Sequence, residues 1–161
     1  EAGRPGVFAL AQKQGGQVVV YDTTGKKLVT MYPLGMSYQG GFTLTFADVS
    51  GDAQEELIVG TGKGEQAQVL VYDQTYLTII QRLNPFDHQE LSGISVAARK
   101  PPKHNEPVFF VLSQGVKPVL AQFTSSGKKI AEFSVKRSRS SSTLDVRITS
   151  GSNPALRVEE Y

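Results

Sequence analysis

Along most of the chain, apolar and polar positions alternate with a period of two, and the pattern restarts after each cluster of Gly, Asp, Asn, Ser or Pro. Phe42, Leu44 and Phe46 alternate with Thr43, Thr45 and Ala47, while Val18-Val19-Val20-Tyr21 and Val69-Leu70-Val71-Tyr72 are β-branched or aromatic runs. A period of two places successive side chains on opposite faces of a strand, and branched or aromatic side chains suit the pleated surface. Gly-, Asp- and Pro-bearing clusters interrupt the runs every 8–12 residues, as turns between short strands do. No segment carries a sustained 3.6-residue apolar stripe with caps. The pattern predicts strands near 7–11, 17–22 and 27–32, then 42–47, 56–60, 67–73 and 77–83. It continues with strands near 93–98, 107–113, 117–123 and 129–134, and ends with 143–148 and 155–160.

The strands fall into a repeat. QVVVYDTTGKKL (Gln17 to Leu28) matches QVLVYDQTYLTI (Gln68 to Ile79) at an offset of 51, and a second step of 51 reaches VLAQFTSSGKKI (Val119 to Ile130). Tyr21, Tyr72 and Phe123 fall in register, and Gly25-Lys26-Lys27 recurs as Gly127-Lys128-Lys129. Self-similarity at a fixed period marks a repeat architecture. Four strands in roughly 50 residues is the arithmetic of a propeller blade, whereas a β-sandwich has no reason to repeat at a fixed spacing. The expected fold is therefore all-β and β-propeller-like, with four-stranded antiparallel blades repeating every ~51 residues in one repeat domain over 1–161. Residues 42–83 and 93–134 make two full blades, 1–32 the end of a preceding blade and 143–161 the start of a further one. Cut blades expose strand edges that invite pairing. Either the chain is a piece of a longer propeller, or chains complete one another by self-association.

Within this frame the stretch GGFTLTFADVSGDAQEELIVGTGKGEQAQVLVYD (Gly40 to Asp73) resembles an FG-GAP/VCBS-type propeller repeat, the kind that builds integrin α heads and many bacterial surface proteins. Members of that family run Gly-Gly-Phe, a short strand, an Asp-Val-Asn-Gly-Asp-Gly loop, an apolar strand, a Gly-rich turn, then Val-x-Val-Phe/Tyr-Asp. The resemblance implies a cell-surface or secreted protein that presents propeller loops to a protein or glycan partner without catalysis. Its alternative is a purely structural domain of a larger exported protein. The resemblance also implies one Ca²⁺ in the loop Asp48 to Glu56. Asp48, Ser50, Asp52 and Glu56 would supply side-chain ligands and Gln54 a carbonyl, since hard Ca²⁺ takes oxygen donors from alternate loop positions. Ser50 stands where the family has Asn or Asp, Ala53 where it has Gly, and Glu56 where it has Asp. The alternative is that Asp48 and Asp52 bond their own turn amides. The corresponding loops of the other units, around Arg99 and in ITSGSNPALRV, have lost the acids.

Charge adds one further candidate. The whole chain has a formal net charge of +2, yet residues 1–98 hold 6 Lys/Arg against 10 Asp/Glu and residues 99–161 hold 11 against 5. Lys136, Arg137 and Arg139 form a candidate polyanion patch beside the reading of solvated loops. No aromatics interleave with them, which argues against single-stranded nucleic acid. There is no cysteine, so disulfides and thiolate metal sites are excluded. No run of apolar residues reaches the length of a membrane span. His88 and His104 stand singly. Gly93-Ile94-Ser95-Val96-Ala97 lacks the second Gly of a nucleophile elbow, and Gly60-Thr61-Gly62-Lys63-Gly64 lacks the spacing and following helix of a phosphate loop. Nothing in the residues points to an enzyme.

Overall fold

A computed structural model describes residues 6–86, 90–99, 106–137, 143–148 and 155–161. Among them it forms thirteen strands and no helix. The strands are β1 (Val7–Ala11), β2 (Val18–Asp22), β3 (Lys27–Met31), β4 (Phe42–Ala47), β5 (Glu56–Thr61), β6 (Val69–Tyr72) and β7 (Ile79–Leu83). There follow β8 (Ile94–Arg99), β9 (Val108–Ser113), β10 (Val119–Thr124), β11 (Lys129–Ser134), β12 (Leu144–Ile148) and β13 (Leu156–Glu160). They pair antiparallel as four meanders of consecutive strands: β1-β2-β3, β4-β5-β6-β7, β8-β9-β10-β11 and β12-β13. The expected all-β class is what is observed. No helix among the described residues is long and apolar enough to cross a membrane.

The two four-stranded sheets are covered on both faces, and the sequence shows why. β5 reads ELIVGT and β9 reads VFFVLS, with every position buried. Such unbroken apolar runs belong to strands with protein on both sides, and alternation belongs to half-exposed ones. Val18, Val20 and Met31 meet Leu57, Val59, Leu70 and Tyr72 in one core layer. Ile58, Val69 and Val71 meet Val96, Phe109, Val111 and Phe123 in the next, and Phe110, Leu112 and Leu120 meet Leu144 and Val146 in the third. Each fully buried side chain of this kind contributes about 1.5–3 kcal/mol. The sheets therefore stack in chain order.

The 51-residue period persists in the irregularities. The ladder register shifts between Val20 and Tyr21, between Val71 and Tyr72, and between Gln122 and Phe123. A tight turn follows each bulge, closed by Gly25 and Tyr76 and Gly127 at positive φ (84°, 61° and 88°). Glycine adopts that conformation freely, whereas tyrosine is strained there. Tyr76 is held by packing: it is 8% exposed and meets Phe46 edge-on at 6.1 Å. Between sheets, the Thr43 hydroxyl donates to the Ile94 carbonyl at 3.0 Å, and the Val146 amide donates to Ser95 Oγ at 3.1 Å. Both contacts span 51 residues and tie the first strand of one sheet to the first strand of the next.

Candidate functional site

Antiparallel meanders send alternate connections to opposite ends of the sheets. One end carries the turns β2–β3, β4–β5, β6–β7 and β10–β11. The other carries the turns β1–β2, β5–β6 and β9–β10 together with the segments that link one sheet to the next.

The Asp48 loop lies at the first end, between β4 and β5, and it holds all five sequence-predicted ligand positions in one turn. Asp48 Oδ1 accepts the Gly51 amide at 2.6 Å and Oδ2 the Ala53 amide at 3.1 Å. Asp52 Oδ1 accepts the Gln54 amide at 2.8 Å. Glu56, only 1% exposed, accepts the Val49 and Ser50 amides at Oε2, at 2.7 and 3.1 Å. Ala53 takes φ 67°, the left-handed conformation that glycine adopts most easily. Among the described residues, no group of three or more Asp, Glu, His or Cys is gathered so that it could hold a metal. Both oxygens of Asp48, Oδ1 of Asp52 and Oε2 of Glu56 thus accept amides of their own turn, the alternative that their spacing also allows.

The same device recurs at this end. Asp22 Oδ1 accepts the Thr24 and Lys26 amides at 2.9 and 3.0 Å, and Asp73 Oδ1 accepts the Thr75 amide at 3.1 Å. In the third unit Glu106 reaches across to the Ser126 hydroxyl and amide at 3.0 and 3.3 Å. The bond from the Thr24 hydroxyl holds the Asp22 carboxyl below the usual carboxylate range, and the bond from the Ser126 hydroxyl does the same for Glu106.

Lys136 is exposed, whereas Arg137 is partly buried and its Nη2 donates to the Gln114 carbonyl at 3.2 Å. Arg139 lies outside the described residues, as do Lys100 to His104 and His88. Ser95, 2% exposed on β8, bonds the Asp145 carboxylate and the Val146 amide, so its hydroxyl joins two sheets. Gly60 to Gly64 forms the end of β5 and the turn into β6.

The second end is stitched into a belt. The Gly15 amide donates to Gln39 O at 3.3 Å, Gly62 to Gly41 O at 2.9 Å, Gly64 to Leu91 O at 2.9 Å and Gln114 to Gly93 O at 2.9 Å. Turn and linking segment thus alternate from the first sheet to the third. Glycine permits the close approach: a Cβ at Gly62 would come 1.9 Å from the Gly40 carbonyl oxygen. Where β1–β2, β3–β4 and β5–β6 meet, the belt encloses a cleft of about 540 Å³ lined by Lys13 and Gln14, Ser37 to Gly40, and Lys63 to Glu65. Tyr38 forms its floor. It is 7% exposed, burial raises its phenol above the ordinary value, and the hydroxyl donates to Gly41 O at 3.1 Å. Sequence reasoning missed this cleft. The glycine pairs at 15–16 and 40–41, with a lysine beside Gly62, were its visible signal.

No family model, curated protein or solved structure matches this chain. Its function is therefore read from the arrangement above.

Proposed function

We propose that the chain is a segment of a β-propeller of the FG-GAP/VCBS kind and serves as a noncatalytic binding module of an exported, cell-surface or secreted protein. Its partner, a protein or a glycan, docks on the belt. The observation that carries this reading is the continuous run of hydrogen-bonded turns and linking segments at one end of the stacked sheets, with a polar cleft in it. Rigid scaffolds place their recognition residues on such loops. Sheets that stack in chain order, with their first strands side by side, support the blade arrangement. In this reading the three-stranded sheet β1-β2-β3 and the two-stranded sheet β12-β13 are part-blades.

The test is a glycan and peptide array probed with the chain, followed by belt variants (Lys13→Ala, Lys63→Ala, Lys117→Ala) and opposite-end variants (Asp22→Ala, Asp73→Ala). Binding that is lost only from the belt set is the expected outcome. Binding lost equally from both sets, or turnover of any arrayed compound, would remove the proposal.

A further inference from the structure

Six polar side chains line the cleft: Lys13, Gln14, Ser37, Gln39, Lys63 and Glu65. All six are exposed. Among the described residues none of the six side chains makes an ion pair or hydrogen bond within the chain. They contrast with the acids at the opposite end, where Asp48 holds turn amides with both oxygens and Asp22 and Asp73 with one oxygen each. Two ammoniums against one carboxylate leave the cleft with a net charge of +1. A ligand carrying a single negative charge neutralises it, while a multiply charged polyanion would meet Glu65 with its surplus charge.

We infer that the cleft binds a carboxylate-bearing saccharide, a uronic-acid unit of a glycan, with Lys13 and Lys63 at the carboxylate and Gln14, Ser37, Gln39 and Glu65 at the hydroxyls. This rests on the binding-module reading above and names its ligand class. The lining chooses a sugar over an acidic peptide. Protein partners anchor through apolar and aromatic side chains seated in pockets. Here the one aromatic of the lining, Tyr38, is buried with its hydroxyl already donated to Gly41 O. Met36 beside it is 70% exposed but does not line the cleft. Amide, hydroxyl and carboxylate groups that both donate and accept match adjacent sugar hydroxyls. The volume, about 540 Å³, falls within the usual range for small-ligand sites.

The experiment is calorimetric titration of the chain with four probes: a neutral-sugar trisaccharide carrying a single glucuronate, its methyl ester, a heparin hexasaccharide and an oligoglutamate peptide. The acid trisaccharide is expected to bind, and the methyl ester to bind about tenfold more weakly, because a partly screened charge contact is lost. Lys13→Gln and Lys63→Gln should each weaken the acid by about fivefold and leave the ester unchanged, while Glu65→Gln should tighten the acid. These side chains make no internal bonds, so unchanged amide spectra will show that the variants remain folded. Equal affinity for acid and ester, or indifference to both lysine substitutions, would overturn the inference while leaving glycan binding on the belt intact. Tighter binding of heparin or oligoglutamate than of the trisaccharide would also overturn it. If none of the four probes binds but the array finds a ligand elsewhere on the belt, the inference fails alone. If the belt binds nothing on the array, the module reading fails with it.

Discussion

Truncating Glu56 should destabilise the protein more than any other change in the β4–β5 loop. Its side chain is 1% exposed, and its Oε2 holds the Val49 and Ser50 amides at 2.7 and 3.1 Å. A hydrogen bond to a charged group contributes about 1.5–3 kcal/mol, and a buried amide left without an acceptor costs about 1–3 kcal/mol. Glu56→Ala removes both bonds and orphans the amide of Val49, itself 7% exposed. It also removes a buried charge that forms no ion pair among the described residues, which offsets part of the loss. The balance is a loss of about 2–4 kcal/mol, with Glu56→Gln costing about 1–2 kcal/mol because its carbonyl still accepts an amide. For a domain of this size, Glu56→Ala should lower Tm by about 4–16 °C. Urea unfolding followed by circular dichroism measures the same ordering without heat. A Glu56→Ala variant melting within about 2 °C of wild type, or a Gln variant weaker than the Ala variant, would refute the account of this loop as a carboxylate-capped turn.

Calcium should leave the melting temperature where EGTA leaves it, because both oxygens of Asp48 and Oε2 of Glu56 already hold amides that a cation would compete for. A cation at 100 times its dissociation constant would add about 2.7 kcal/mol, so a rise that vanishes in Asp48→Asn would replace the turn with a metal cage. Acid should destabilise the fold partly through Asp22, whose lowered folded pKa contributes stability above the unfolded value, lost as pH falls below about 4. Asp22→Ala should flatten that acid limb; an identical stability difference from wild type at neutral and acid pH would show that the bonds of Asp22 carry no linkage.

All thirteen strands were legible because two signals coincided at each: period-two alternation or an unbroken branched run, and a turn cluster at both ends. Glu56–Thr61 and Ile94–Arg99 lie within a residue of the expected 56–60 and 93–98. Larger differences fall at strand starts, where β6, β7 and β10 begin at Val69, Ile79 and Val119 rather than at 67, 77 and 117. The chemistry of the Asp48 loop was not legible. Acids at alternate positions suit a cation cage and a capped turn equally, and what separates them is which amides the backbone turns toward the carboxylates. Gly51 at φ 87° and Ala53 at φ 67° set which amides face Asp48, and neither angle can be read from residue types. The cleft was hidden for another reason. Lys13, Ser37 and Lys63 come from three separate connections, and only the packing of glycine-bearing turns brings them together.

The two ends of the sheets use their polar residues in opposite ways, and this difference is the ground for proposing the belt as the end that meets a partner. At the end carrying Asp22, Asp48, Asp73 and Glu106, each carboxylate closes a turn of its own sheet. A ligand recruiting those oxygens would have to replace bonds that the fold already uses, losing about 1.5–3 kcal/mol for each. At the belt, backbone amides and carbonyls hold the turns together, so the side chains of Lys13, Gln14, Ser37, Gln39, Lys63 and Glu65 carry no structural duty. A partner there displaces only water. The repeat follows the same division. Its period survives in the bulges, the closing turns and the hydroxyl contacts that join sheet to sheet, where one solution serves every unit. It fades in the belt turns, which read QKQGGQ, GKGEQAQ and QGVKP. Those segments need only glycine where backbones cross, and are otherwise free to differ from sheet to sheet, as the proposed recognition of one asymmetric ligand would require.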